Sequence, residues 1–531
     1  MTQLQEASPR AGASGASSGP APSSNFYEHQ IASSLRNSAS QNGTLQFTAG
    51  TPTSSTKMTM SYWVKRYTTS TDGGANNIFV TGTGGASYII MGFSSNAWQF
   101  QPYGGSWGTG GGITMNVTAL SRDTSSWYHQ VLRIDTTEST QGDRVRLYQN
   151  GERITSFSHE GVTGNLSASE SVSYINQSGV IQAFGGLSGK GHGTEGADLQ
   201  MAEIVFCDGQ SLGPDSFGET KNGVWIPKDP SGLTFGNNGY WLKMSAGAIG
   251  TDSSGNGNNF TVANFDAEDV IFESPTFDSS SNGGKFMSYN GALVGSNNTL
   301  SEGNLKSTGS SGGNTSGTFG MLTGKWYWEC RAETVNSYGP TFGIGQTGHA
   351  GTDGLYYVIT WQTSAGQMYG GGGAPESMGT ITVTSTGVTS LSSGDIMSFW
   401  LDCDNGKLWV GKNGTIPNSG SPASGSNPQT SWSTIPKSRF FTATCQNVGS
   451  GVGVLNAGQN PTFNGGITAG TATDKNGYGL FKYDPSATDF LACCSANLPT
   501  ASTVSPAETN DNFPQKLFGA TIWTGNGATG S

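Results

Sequence analysis

The acidic residues most nearly grouped for chemistry are Asp266, Glu268 and Asp269 in "FDAEDV" and Asp402 and Asp404 in "LDCDNG". Hydrolysis of a glycosidic bond needs two carboxyl groups facing each other across the scissile bond, one as proton donor and one as base or nucleophile. A Glu-x-Asp-x-Glu run on one strand would deliver them to one face, and the chain has none. Both acidic groups read as turn acids. Of the five histidines (His29, His129, His159, His192 and His349), none has a motif-defined partner. His129 in "WYHQVLRI" reads as a strand residue, while His192 and His349 sit in Gly-rich loops, where a solvated role is expected ahead of contact with a ligand. A dispersed Ser-His-Asp site would leave no local mark, and no "GxSxG" announces one. The oxygen-rich "DSSGNGNN" (252–259) lacks the alternating acids and closing Glu of a dedicated calcium loop. No catalytic residue, metal ligand or cofactor is therefore expected.

Aromatic side chains are the better candidates. Sugar rings stack on exposed aromatic faces while amides supply hydrogen bonds. Trp98, Tyr103 and Trp107 in "WQFQPYGGSWGTGGG", with Trp361 and Tyr369 further on, are the candidate carbohydrate-binding residues. Tyr103 and Trp107 stand first because they lie closest to the glycines. The competing reading for each is packing beneath its Gly-rich loop. These runs carry no Lys-Ser/Thr and open no helix, which argues against a phosphate cradle.

The elements that must hold such residues are strands. "MTMSYWVKRY" (58–67), "SYIIMGF" (87–93), "WYHQVLRID" (127–135) and "RVRLYQN" (144–150) are rich in β-branched and aromatic residues with partial alternation. Asn150 and Gly151 supply the positive φ angles of a tight hairpin. The same grammar recurs in "DIMSFWLDCDNGKLWVGKNG" (395–414), where Phe399, Leu401, Leu408 and Val410 are expected to point inward. Many short strands between regular turns, with no helical period, mean all-β sandwiches or barrels.

Two resemblances follow. "MTMSYWVKR", "WYHQVLRI", "RVRLYQNGERI", "AFGG" and "DLQMAEIVF" together resemble the laminin-G/concanavalin A-like jelly roll. "GKWYWECRAE", "TFGIGQ", "GDIMSFWLDCDNGKLWVGKNG" and the Asn-Gly that ends it resemble a SPRY domain, itself a concanavalin-type sandwich. The fold expected is thus two concanavalin-like jelly-roll β-sandwiches in tandem with irregular connector and tails. Its expected divisions are an arm (1–25), a laminin-G-like sandwich (26–217), a connector with added strands (218–320), a SPRY-like sandwich (321–480) and a C-terminal extension (481–531). "NGYWLKM" is one such added strand. With "WTGNGATGS" at the end, the whole is similar to virion proteins of tailed bacteriophages that join these two modules. That resemblance implies a non-enzymatic fibre, spike or decoration subunit on the virion surface. It would be made in the host cytoplasm, anchored by its arm, assembled as a homo-oligomer (a trimer), and in contact with other virion subunits or host polysaccharide. The alternatives are a secreted bacterial lectin or adhesin and, behind it, a glycoside hydrolase.

Composition bounds these readings. Charged residues are 11% of the chain, where about 25% is usual. Yet 25 Phe, 17 Tyr and 13 Trp supply cores that a disordered chain lacks. The net charge of −11, without a basic cluster, gains nothing from phosphate counterion release, so no nucleic-acid partner is expected. No apolar run is long enough to insert in a membrane as a helix. "MTQLQEASPRAGASGASSGP" has neither the basic start nor the apolar middle of a secretory signal, so the chain is expected either to stay in the cytosol or to leave by another route, such as release with a virus particle. Cys207, Cys330, Cys403, Cys445, Cys493 and Cys494 are expected as reduced, buried thiols.

Overall fold

The structure is a computed structural model. It describes residues 10–11 and 26–498 except 39–40, 69–75, 85–86, 104–113, 161–166, 187–197, 278–281, 292–293, 296, 310–312, 337–338, 347–355, 363–366, 371–377, 385–386, 388, 437–439, 448 and 486–488. Among the described residues there are strands and three-residue 3-10 turns but no α-helix.

Alternation builds the first sandwich. In Lys57–Arg66, Met58, Met60, Tyr62 and Val64 face a core shared with Phe79, Ile89, Met91 and Phe93 of the opposing sheet. One eight-stranded sheet centres on Trp127–Asp135, Lys57–Arg66 and Leu199–Asp208, all antiparallel. The other runs through Ala97–Tyr103, Ser87–Ser94, Asn76–Gly84 and Ile181–Phe184. Chain beyond residue 217 completes both sheets. Tyr240–Leu242, the added strand expected in "NGYWLKM", pairs with Leu199–Asp208, while Thr261–Ala263 and Val270–Ile271 extend the two edges.

The second sandwich stacks a nine-stranded sheet, centred on Lys325–Thr334 and Ile396–Asp402, against a seven-stranded one centred on Phe441–Asn447 and Thr341–Gln346. Phe399 pairs with Val410 and Leu401 with Leu408, all four buried in the main core as the alternation predicts. Gly406, Asn413 and Gly414 hold φ of 61°, 50° and 81°, the left-handed geometry these turns demand. All six cysteines are buried free thiols, and Cys493 and Cys494 form no bridge. Arg10–Ala11 lies parallel to Gly320–Met321 at a sheet edge. The remainder of the arm, and 499–531, fall outside the described residues.

The sandwiches are bonded to each other. Asn304 donates through Nδ2 to the Tyr67 carbonyl at 2.7 Å, and Arg36 donates to Asn464 Oδ1 at 2.7 Å.

Candidate functional site

The outward face of the first sandwich's central sheet is as aromatic as its inward face. Trp63 pairs in register with His129, and Trp127 with Lys65. Neighbours of the inward-facing Tyr62 and Val64, these residues point away from the core, and chain from 217 onward folds over them. The hairpin of Gly218–Lys221 and Val224–Pro227 brings Trp225 onto His129, and the Trp225 indole N–H donates to His129 Nδ1 at 3.0 Å. His129 Nε2 lies 2.8 Å from Ser61 Oγ, which fixes the proton on Nε2. Its ring contacts both Trp63 (centroids 4.8 Å apart) and Trp225 (5.8 Å). Burial in this stack pushes the imidazole down to about 3, so it is neutral.

Two glycines admit Trp225. A Cβ on Gly151, whose φ is +85°, would come within 2.5 Å of the indole, and one on Gly218 equally close. The hairpin glycine of the Asn-Gly pair is therefore also the floor under an aromatic ring.

The cover is incomplete, and the gap is a cleft of about 800 Å³ between the two sandwiches. Trp63 and Trp127 form its back, only 4% and 6% exposed, while Tyr27, Trp225 and Phe277 keep half-buried rings along it. Phe286, Phe319 and Ser495 close the far side. The volume and the mix of aromatic wall with a few polar groups suit a small-molecule or oligomer subsite. Among the described residues Asp123 is the one carboxylate lining it. Asp123 Oδ1 accepts from Ser125 N (2.8 Å) and Ser125 Oγ (2.6 Å), and Oδ2 accepts from Ser126 Oγ. Burial pushes this carboxyl up, but the serine hydrogen bonds outweigh it and hold it below the usual carboxylate range.

The sequence's candidates lie elsewhere. Trp98 is fully buried among Phe79, Ile89 and Met91 of the first core and offers no face to a sugar, which corrects that expectation: its position on Ala97–Tyr103 points inward. Tyr103 ends the same strand; Trp361 and Tyr369 lie on Tyr356–Gln362 and Gln367–Gly370 of the second sandwich. Trp107 falls outside the described residues, as do His192 and His349. His29 sits at the covered face, hydrogen-bonded to Glu203 at 2.5 Å. The acidic groups are structural. Asp269 accepts from Gln41 and meets Arg36, and Asp402 accepts from Asn405 within its turn. In the oxygen-rich loop, Asp252 Oδ1 accepts from Trp241 N and Ser254 N, and Oδ2 from Ser254 Oγ and Asn258 N. N–H and O–H donors thus occupy the lone pairs that a cation would need.

Sequence reading missed Trp63, Trp127, Trp225, Tyr27 and Phe277 as a group because they lie far apart in the chain. A signal existed. "YW" at 62–63 and "WY" at 127–128 place aromatics on both parities of one strand, the mark of a sheet buried on both faces.

Comparison with known proteins bears on the fold. Residues 39–187 match a laminin-G family described as the Concanavalin A-like lectin/glucanases superfamily. No curated protein matches the chain. Among solved structures, the native heptameric SAP-like pentraxin from Limulus polyphemus is 16% identical, covering 35% of this chain and 79% of its own at a TM-score of 0.24. The SPRY domain of human HERC1 is 16% identical over 32% of this chain and 96% of its own, at 0.23. A human SPRY domain is 14% identical over 30% and 94%, at 0.21. The chain is all-β, with a concanavalin-like domain among its sandwiches.

Proposed function

We propose that this chain is a non-enzymatic carbohydrate-binding display protein whose binding site is the cleft bounded by Trp63, Trp127 and Trp225. The observation that carries the reading is the cleft itself: half-buried aromatic rings beside a few fixed polar groups, on a sandwich matching the lectin/glucanase superfamily. Binding without cleavage is supported by the carboxylate inventory. A glycosidase needs two carboxyl groups about 5–9.5 Å apart, and among the described residues Asp123 is the one carboxylate at the cleft, with both oxygens engaged by serines. The setting we propose is the surface of a bacteriophage virion, as a tail-fibre, spike or head-decoration subunit in a homo-oligomer. The sequence's resemblance to two-module virion proteins supports that setting.

The test is a saccharide-binding screen of the full chain and of Trp225→Ala, with reducing-end release followed on every saccharide bound. Capture that depends on Trp225, with no new reducing ends, is expected. Turnover of any bound saccharide would overturn the non-enzymatic reading. Labelled antibody against the chain, viewed on intact particles, tests the virion setting.

A further inference from the structure

The charges at the cleft are unevenly satisfied. Lys65 Nζ lies 2.5 Å from Glu273 Oε1 in a pair that is almost fully buried, so each neutralises the other. Asp123 accepts three hydrogen bonds from Ser125 and Ser126, two at Oδ1 and one at Oδ2. Lys285, which lines the cleft, has no such partner: its ammonium makes one long contact, 3.5 Å to Ser126 Oγ, and among the described residues no carboxylate ion-pairs with it. Its backbone is nonetheless fixed, since Lys285 N donates to Ser495 Oγ at 3.0 Å and the Lys285 carbonyl accepts from Ser495 N at 2.8 Å. Burial first, and the charge of Lys65 second, hold this lysine below its ordinary range, with Asp123 and Glu273 acting the other way. A half-buried ammonium with two protons unclaimed by protein is held ready for an acceptor from outside.

We propose that Lys285 is the specificity residue of the cleft and that the saccharide it takes is acidic, its carboxylate accepting from the Lys285 ammonium. This rests on the carbohydrate-binding reading above and adds the ligand's charge to it. Asp123 sharpens the selection: its carboxylate, locked by the serines, disfavours an anion anywhere in the cleft except against the ammonium. A uronic acid ring meets both demands, with an apolar face for the aromatic wall and one carboxylate at its edge.

The test titrates the full chain with an oligoglucuronate and with the same oligomer after reduction of its carboxyls to the neutral hexose. The wild-type chain should prefer the acidic oligomer by about ten-fold or more, the worth of one charge-assisted hydrogen bond. Lys285→Gln should abolish the preference, and a urea-unfolding transition that stays cooperative reports that the variant is folded. Lys285→Arg should retain most of it, and added NaCl should shrink it. Equal affinity of the wild type for the two oligomers, or a preference that survives Lys285→Gln, overturns the role of Lys285 and leaves the carbohydrate-binding reading standing. Binding of neither oligomer overturns the acidic ligand. Failure of the whole reading shows separately, as a saccharide screen with no capture of any kind.

Discussion

Both sandwiches bury the outward face of a central sheet, and they do so with different success. In the second, Tyr327 and Glu329 point away from the sandwich interior, where Cys330 lies beside Cys445 of the other sheet. The chain at 472–485 and 489–498 returns over them. Phe481 packs edge-on to Tyr327 with centroids 4.9 Å apart, and Leu491–Ala492 adds a parallel strand beside Trp326 and Tyr327. Glu329 then fastens the cover, accepting from Tyr483 N (2.8 Å), Lys482 N (3.0 Å), Tyr327 Oη (2.8 Å) and Asn456 Nδ2 (3.3 Å). In the first sandwich the fastener is the Lys65–Glu273 pair, and the cover around it leaves the 800 Å³ cleft. One architecture thus gives a sealed face and an open one. The difference lies in the covering chain, since both sheets present aromatic residues outward.

The largest effects should come from the fasteners and cores. Lys65→Met leaves Glu273 buried and uncompensated, with an expected loss of about 3–5 kcal/mol in urea unfolding. Adding Glu273→Leu should recover most of it. Recovery would show that the pair positions the cover more than it stabilises it. Trp98→Ala should cost a similar ~3–5 kcal/mol through the cavity it leaves in the first core, with saccharide binding by the folded fraction unchanged. A loss of binding without a loss of stability would restore Trp98 as a contact residue.

Next in size are opposed responses to pH. Burial pushes Glu329 up to about 7. A carboxyl raised in the folded state binds more protons folded than unfolded, so its contribution is present at low pH and is lost as pH rises through 7. Between pH 4.5 and 7 the wild type should lose about 3 kcal/mol that Glu329→Gln does not. His129, pushed down to about 3, binds fewer protons folded than unfolded. Its contribution is present above about 6.5 and is lost as pH falls towards 3. Relative to His129→Gln, the wild type should lose stability on acidification, the opposite sign to Glu329. Denaturation curves of the two variants across pH 4–8 check both, and slopes of the same sign would mean that the two faces are not built as described.

The smallest stability effect, about 2 kcal/mol, is expected for Trp225→Ala, since its ring is only half-buried. It should weaken saccharide binding at least ten-fold. It should also let the His129 imidazole titrate closer to its ordinary value, which ring-proton NMR against pH would read.

The sandwiches were legible in the sequence because local rules write them. Asn150 and Gly151, and Asn413 and Gly414, adopt the positive φ their hairpins require, and Phe399, Leu401, Leu408 and Val410 face inward by alternation alone. The cleft was not legible in the same way. Trp63 and Trp225 are 162 positions apart, and only the path of the covering hairpin brings both into contact with His129. Proximity to glycines drew attention to Trp98, a residue whose strand parity places it in the core. Where both parities of a strand carry aromatics, the covering chain has to be found before the exposed ring can be.

Saccharide binding in the cleft is tested most directly by a parallel screen of the wild-type chain and Trp225→Ala under identical conditions. At least one saccharide should be held by the wild type, released by Trp225→Ala and recovered uncleaved. Capture of nothing, or capture that Trp225→Ala leaves undiminished, would contradict it.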